Sequence, residues 1–120
     1  MDNTTIVAIS SPLGNSLRGI IRISGKKAFS LIHRAFNLAA SKQNHTSSWR
    51  VYYGHLNITS SLRFSLKLKI SATIFLTAAP NSYTCEDMVE IHVLGNRVLL
   101  EEILRYFIRA GAELAQPGEF

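Results

Sequence analysis

From Pro80 to Val93 the chain passes from turn chemistry to strict alternation, and this transition limits its fold more than any other segment. Pro80 fixes its own φ, and the short polar side chains of Asn81 and Ser82 bond back to nearby backbone, so the chain reverses there. Thr84 precedes Asp87 by three residues, the spacing of a capping hydroxyl and a carboxylate that reaches back, which predicts a single helical turn over Cys85 to Asp87. From Val89 a period of two takes over. Val89, Ile91 and Val93 fall on one face of a strand, and Glu90 and His92 project together from the other.

The remaining segments supply partners for that strand. Thr5 to Ile9 reads as a first strand, ended by the turn residues Ser10 to Asn15, and Gly19 to Ser24 as a second, in which Arg22 points away from Ile21 and Ile23. Ser24 is placed to cap a helix from about Lys26 to Leu38, with Ala28, Phe29, Ile32, Ala35 and Phe36 as its apolar stripe. Ala40 to Ser48 has no periodicity and reads as an exposed loop. Trp49 to Leu56 reads as a strand, Asn57 to Ser61 as a turn, and Arg63 to Thr77 as one long or broken strand. In that strand Lys67 and Lys69 alternate with leucines, either guarding a sheet edge or holding a phosphate.

Gly95 and Asn96 end the alternating strand and open a helix from about Arg97 to Arg109, burying Leu99, Leu100, Ile103, Phe107 and Ile108. Gly111 closes it, and Ala112 to Ala115 form a last short strand before a turn at Pro117 and Gly118. This order predicts an α+β fold: a mixed or antiparallel sheet of about five to six strands with two main helices on one face.

Size and composition narrow the function. A chain of 120 residues, 47% hydrophobic and 18% charged, suits a single domain over 1–120. One cysteine excludes an internal disulfide, and four scattered histidines show no zinc-ligand spacing, so no metal site is expected. Neither a leader pattern nor a run of about 20 apolar residues is present, which predicts a cytoplasmic protein without membrane contact. The net charge of +5 favours an anionic partner such as RNA, or is an ordinary solvated surface.

The motifs for nucleotide phosphates, G-x-x-x-x-G-K-[ST] and G-x-G-x-x-G, are absent from these 120 residues. Cys85 sits beside Glu86 and Asp87, whose charges disfavour a thiolate, and the serines show no triad pattern, so no catalytic residue is assigned. Arg22 and Glu90 each interrupt an apolar strand. They are either charges on an outer face or a recognition pair, in which the carboxylate accepts two parallel hydrogen bonds from an N–C–N edge, as in a pterin or guanine ring, and the guanidinium grips a ligand oxygen.

Thr5-Ile-Val-Ala, Arg22-Ile-Ser-Gly25, the block Ala79 to His92 and the terminal Pro117-Gly-Glu-Phe120 together resemble the N-terminal domain of the bacterial tRNA modification GTPase family MnmE/TrmE, over nearly the whole chain. The resemblance implies a tetrahydrofolate-binding domain, related in fold to the folate domain of aminomethyltransferases, that forms a homodimer. It implies 5-formyltetrahydrofolate or a related tetrahydrofolate as cofactor, with Arg22 and Glu90 as contacts. GTP, Mg and K belong only to the full-length family protein, which modifies carbon 5 of the wobble uridine of tRNA with its flavoprotein partner MnmG. A helical domain, a GTPase domain and a further folate-contacting lysine would lie beyond Phe120, so this piece is expected to have no activity of its own. Cys85 stands where that family commonly has glycine, and Val93-Leu-Gly-Asn96 where it tends to have Cys-His-Gly-Gly. The alternative readings are a stand-alone folate-dependent one-carbon transferase, with His92 and Asp87 as acid–base candidates, and a basic RNA-binding module.

Overall fold

Strict alternation in neighbouring strands puts Ile21, Ile91, Ile74 and Tyr52 in one row across the sheet, and Arg22, Glu90, Phe75 and Val51 in the adjacent row on the opposite face. The computed structural model describes residues 4–11, 16–39, 41–45, 49–60, 66–80, 82 and 84–120. Its strands are β1 (Ile6–Ile9), β2 (Ser16–Ser24), β3 (Lys42–His45), β4 (Arg50–Thr59), β5 (Lys67–Thr77), β6 (Met88–Gly95) and β7 (Glu113–Leu114). The helices are α1 (Ala28–Ala35) and α2 (Arg97–Arg109). Among the described residues the strands form one sheet of seven, ordered β3-β4-β5-β6-β2-β1-β7. All neighbours are antiparallel except β1 and β7, which makes the sheet mixed and the fold α+β.

Both helices cover the same face. Ile103 and Phe107 of α2 and Ile32 of α1 are fully buried against Ile21, Ile23, Ile74, Val89 and Ile91, each side chain contributing about 1.5–3 kcal/mol of burial. A Cβ at Gly19 would lie 2.7 Å from Leu100 Cδ2 of α2, and one at Gly54 2.9 Å from Phe36 Cζ, so both side chains pack directly on strand backbone that carries no side chain. Glu102 of α2 is buried with the core, which the apolar pattern did not anticipate. Ser60 Oγ donates to its Oε1 at 2.6 Å, and Arg105 Nη1 reaches its Oε2 at 3.4 Å.

Several elements differ from the sequence reading. The polar segment read as a loop contains β3, because Lys42–His45 joins β4 by backbone pairing, which requires no apolar alternation. Ala40 and residues 46–48 lie outside the described residues, as do 61–65, where the expected strand from Arg63 began. The expected turn from Asn57 is still strand, since β4 runs to Thr59 in register with Lys67. Helix α1 is shorter than expected. Ser24 does not cap it: the position belongs to Lys27, whose backbone N–H donates to Thr5 Oγ1 at 3.0 Å, and Phe36 leaves the helix in extended conformation to bridge Leu56. Gly25 precedes it with φ +138°, where an added Cβ would lie 2.7 Å from the Thr5 Cα. In contrast, α2 spans the expected residues, capped by Asn96 Oδ1 accepting from Leu99 N, and Gly111 follows it with φ +124°.

The helical turn expected at Cys85 to Asp87 is instead a tight non-helical turn. Cys85 has φ +63°, a left-handed conformation that a helix cannot continue through. Cys85 N–H donates to the Ser82 carbonyl at 3.0 Å, Ser82 Oγ donates to the Glu86 carbonyl, and Asp87 Oδ1 accepts from Ala79 N at 2.9 Å instead of reaching back to Thr84. Lys67 and Lys69 lie on the half of β5 that β6 does not pair, since the β5–β6 ladder covers only Thr73–Thr77. That position matches the edge-guarding reading.

Candidate functional site

The site lies on the sheet face away from the helices. Registers Arg22↔Glu90 between β2 and β6, and Phe75↔Glu90 between β6 and β5, bring an arginine, a carboxylate and an aromatic ring into one row. Ile20, His92 and Thr73 form the next row. Arg22 and Glu90, the two residues singled out from the sequence, are therefore direct cross-strand neighbours although 68 positions apart.

Arg22 Nε donates to Glu90 Oε2 at 2.7 Å, and Glu90 Oε1 lies 3.0 Å from His92 Nε2. The Arg22 side chain is 30% exposed, whereas those of Glu90 and His92 are 14% and 13% exposed, so the carboxylate sits in a partly desolvated setting with a partner on each oxygen. The His92 hydrogen bond holds the Glu90 carboxyl below the usual carboxylate range. Burial opposes this, and the Arg22 hydrogen bond and charge reinforce it. The ring of Phe75 packs on His92 with centroids 4.5 Å apart and meets Trp49 edge-on at 6.2 Å.

The loop before β6 folds over one end of this face. Ser24 Oγ donates to Thr84 Oγ1 at 2.9 Å, Ser82 Oγ lies 3.1 Å from the same oxygen, and Met88 and Thr77 are buried beneath. At the other end β5 and β6 part beyond Thr73 and His92. A groove of about 300 Å³ opens there, lined by His92 and Thr73 together with Arg18, Ser71, Leu17 and Leu94. Asn81 and Tyr83 of the expected turn lie outside the described residues.

Sequence reasoning marked Arg22, Glu90 and His92 but not the bond between Glu90 and His92, nor Phe75 and Thr73 as neighbours. The spacing of Glu90 and His92 on one strand was the available signal for the bond; the β5 residues required the register. Asp87, an acid–base candidate, is committed to the backbone of Ala79. Cys85 is exposed in its turn. Among the described residues no group of three or more His, Cys, Asp or Glu side chains is arranged to hold a metal ion, and no helix is long and apolar enough to cross a membrane.

A family model described as GTP-binding protein TrmE N-terminus matches residues 5–120. The chain belongs to this family. Relatives of the TrmE N-terminal family carry the name tRNA modification GTPase MnmE. The one from Desulfotalea psychrophila is 39% identical over 122 residues, covering 99% of this chain and 24% of the relative. That of Roseiflexus castenholzii is 37% identical across 100% of this chain and 24% of the relative. That of Acholeplasma laidlawii is 35% identical across 100% of this chain and 25% of the relative. The chain thus spans about a quarter of the length of these curated relatives.

Proposed function

We propose that this TrmE N-terminal chain binds a tetrahydrofolate, as the one-carbon donor unit of a tRNA-modifying GTPase. The observation that carries the reading is the Arg22–Glu90–His92 arrangement: an ionised carboxylate, fixed on a strand and partly shielded from water, facing outward beside an aromatic ring. A carboxylate is an acceptor only, with about four lone-pair sites, so two remain for ligand donors after Arg22 and His92 each take one. Paired N–H donors on one edge of a pterin meet that requirement, and Phe75, Ile20 and the groove past His92 supply apolar and polar surface for the rest of such a molecule.

The role of Arg22 in this reading is more specific than a separate clamp on the ligand. Its Nε bond offsets the charge of Glu90 and anchors the Oε2 oxygen, while 30% exposure keeps its side chain at the surface that a ligand would meet. The same reading assigns the chain to a homodimer that works with the flavoprotein MnmG on carbon 5 of the wobble uridine of tRNA, in the cytoplasm. GTP hydrolysis, with Mg and K, belongs in it to the longer family protein. Support for this wider assignment is the family membership and the name shared by the relatives.

Calorimetry with 5-formyltetrahydrofolate tests the ligand. The parent chain is expected to bind, and Glu90→Ala to bind more weakly by about 2 kcal/mol or more, because a paired donor edge would be left without its acceptor. Equal heats for the two proteins would remove Glu90 from the site.

A further inference from the structure

His92 is held more tightly than an exposed strand residue would be, and one of its nitrogens has no hydrogen-bond partner among the described residues. Its neighbours across the strands are Ile20 on one side and Thr73 on the other, and the Phe75 ring lies 4.5 Å from its own at 49°. The ring is only 13% exposed, packs on Phe75, and directs Nε2 at Glu90 Oε1. An ionised carboxylate only accepts, so Nε2 carries the proton in this bond. Nδ1 is buried without a hydrogen-bond partner among the described residues. Leaving a buried nitrogen unsatisfied disfavours the arrangement, and the bond from Nε2 to a charged acceptor is the compensating interaction visible on the ring.

We propose that His92 is the positioning residue of the ligand site: its Nε2–H and the Arg22 Nε–H grip the two oxygens of Glu90 and fix the carboxylate plane toward incoming N–H donors. The inference rests on the folate reading for the identity of the ligand, but the positioning is a property of the ligand-free protein. Without His92 the carboxylate would be tethered at Oε2 alone and free to rotate about its Cγ–Cδ bond, so a paired donor edge would meet it in many orientations. Preorganising an acceptor in this way raises affinity by removing an ordering cost at binding. Charged groups facing this pair from β2 are Arg22 at 2.7 Å from Glu90 and Arg18 across the groove. On β5 the facing side chains are Thr73 and Phe75, neither of which titrates, and Tyr53 of β4 lies one strand further in the same row.

The test uses the 120-residue chain and three variants, His92→Phe, His92→Gln and Glu90→Gln. The Glu90 carboxyl carbon is followed by NMR as pH is varied, without ligand, and Glu90→Gln assigns its resonance. Binding of 5-formyltetrahydrofolate is then measured at neutral pH. In His92→Phe, which keeps a ring against Phe75, the Glu90 titration should move upward and affinity should fall about tenfold or more, as for loss of a hydrogen bond to a charged group. His92→Gln retains an N–H donor and should recover most of both losses. An unmoved Glu90 titration in His92→Phe would overturn the positioning role, whatever happens to affinity. Equal loss in both variants with an unmoved titration would reduce His92 to packing. A parent chain that does not bind the folate while its Glu90 titration still depends on His92 would overturn the ligand reading and leave the positioning intact.

Discussion

The two faces of the central sheet are built from the same strands by alternate residues, and they obey different rules. On the helix-covered face Ile21, Ile23, Ile74, Val89 and Ile91 are specified by shape and apolarity, and neighbouring hydrophobic residues share the work of filling space. On the open face Arg22, Glu90 and His92 are specified atom by atom, through contacts of 2.7 and 3.0 Å that another charge of similar size would not reproduce. The covered face accounts for stability, and the open face is the one we propose for recognition. A period of two lets one stretch of chain, Met88–Gly95, serve both.

The comparison breaks if damage to one face is felt equally on the other. Phe107→Ala removes a fully buried ring from the covered face and should lower unfolding free energy by about 3–5 kcal/mol, read by urea denaturation, while the folded fraction keeps its folate affinity. Loss of affinity in that folded fraction would show that the faces are not separable. Glu90→Ala is expected to do the reverse, weakening binding far more than stability.

A smaller effect sharpens the electrostatic side. Because the folded Glu90 carboxyl titrates below the unfolded carboxylate value of about 4.3, the unfolded state binds more protons in that window and stability rises with pH through it. The contribution is fully present above the unfolded value and is lost as pH falls through the folded one. Glu90→Gln should flatten that part of the stability profile in acid denaturation, and an unchanged slope would mean that the pair contributes nothing there. The smallest expected effect lies in the loop at the end of the open face. Cys85→Gly relieves a left-handed conformation at φ +63° and should raise stability by roughly 0.5–1 kcal/mol, without altering the Glu90 titration.

Legibility from sequence follows the same division. Strand β6 and helix α2 were readable because periodicity, an Asn cap and a terminating glycine all agree locally. Strand β3 was not, since Lys42–His45 has no pattern and exists through backbone pairing with β4. Helix α1 ends early because Phe36 is drawn into an extended bridge with Leu56, a tertiary contact that no local propensity encodes. In the site, Glu90 and His92 were visible as neighbours on one strand. Their junction with Arg22 depends on the β2–β6 register, and the placement of Phe75 and Thr73 beside them on the β5–β6 register, both set by long-range packing. At Cys85 the capping spacing suggested a helical turn, and the left-handed φ of +63° there is set by the loop's contacts, not by local spacing.

The central claim is that the open face, through Glu90, is where this chain meets a folate. It is tested most directly by recording backbone and side-chain NMR spectra of the 120-residue chain during addition of 5-formyltetrahydrofolate. The account predicts saturable shifts centred on Arg22, Phe75, Glu90 and His92, with the residues of α1 and α2 unmoved. Shifts centred on the helices, or no saturable shift on β2, β5 and β6, would contradict it.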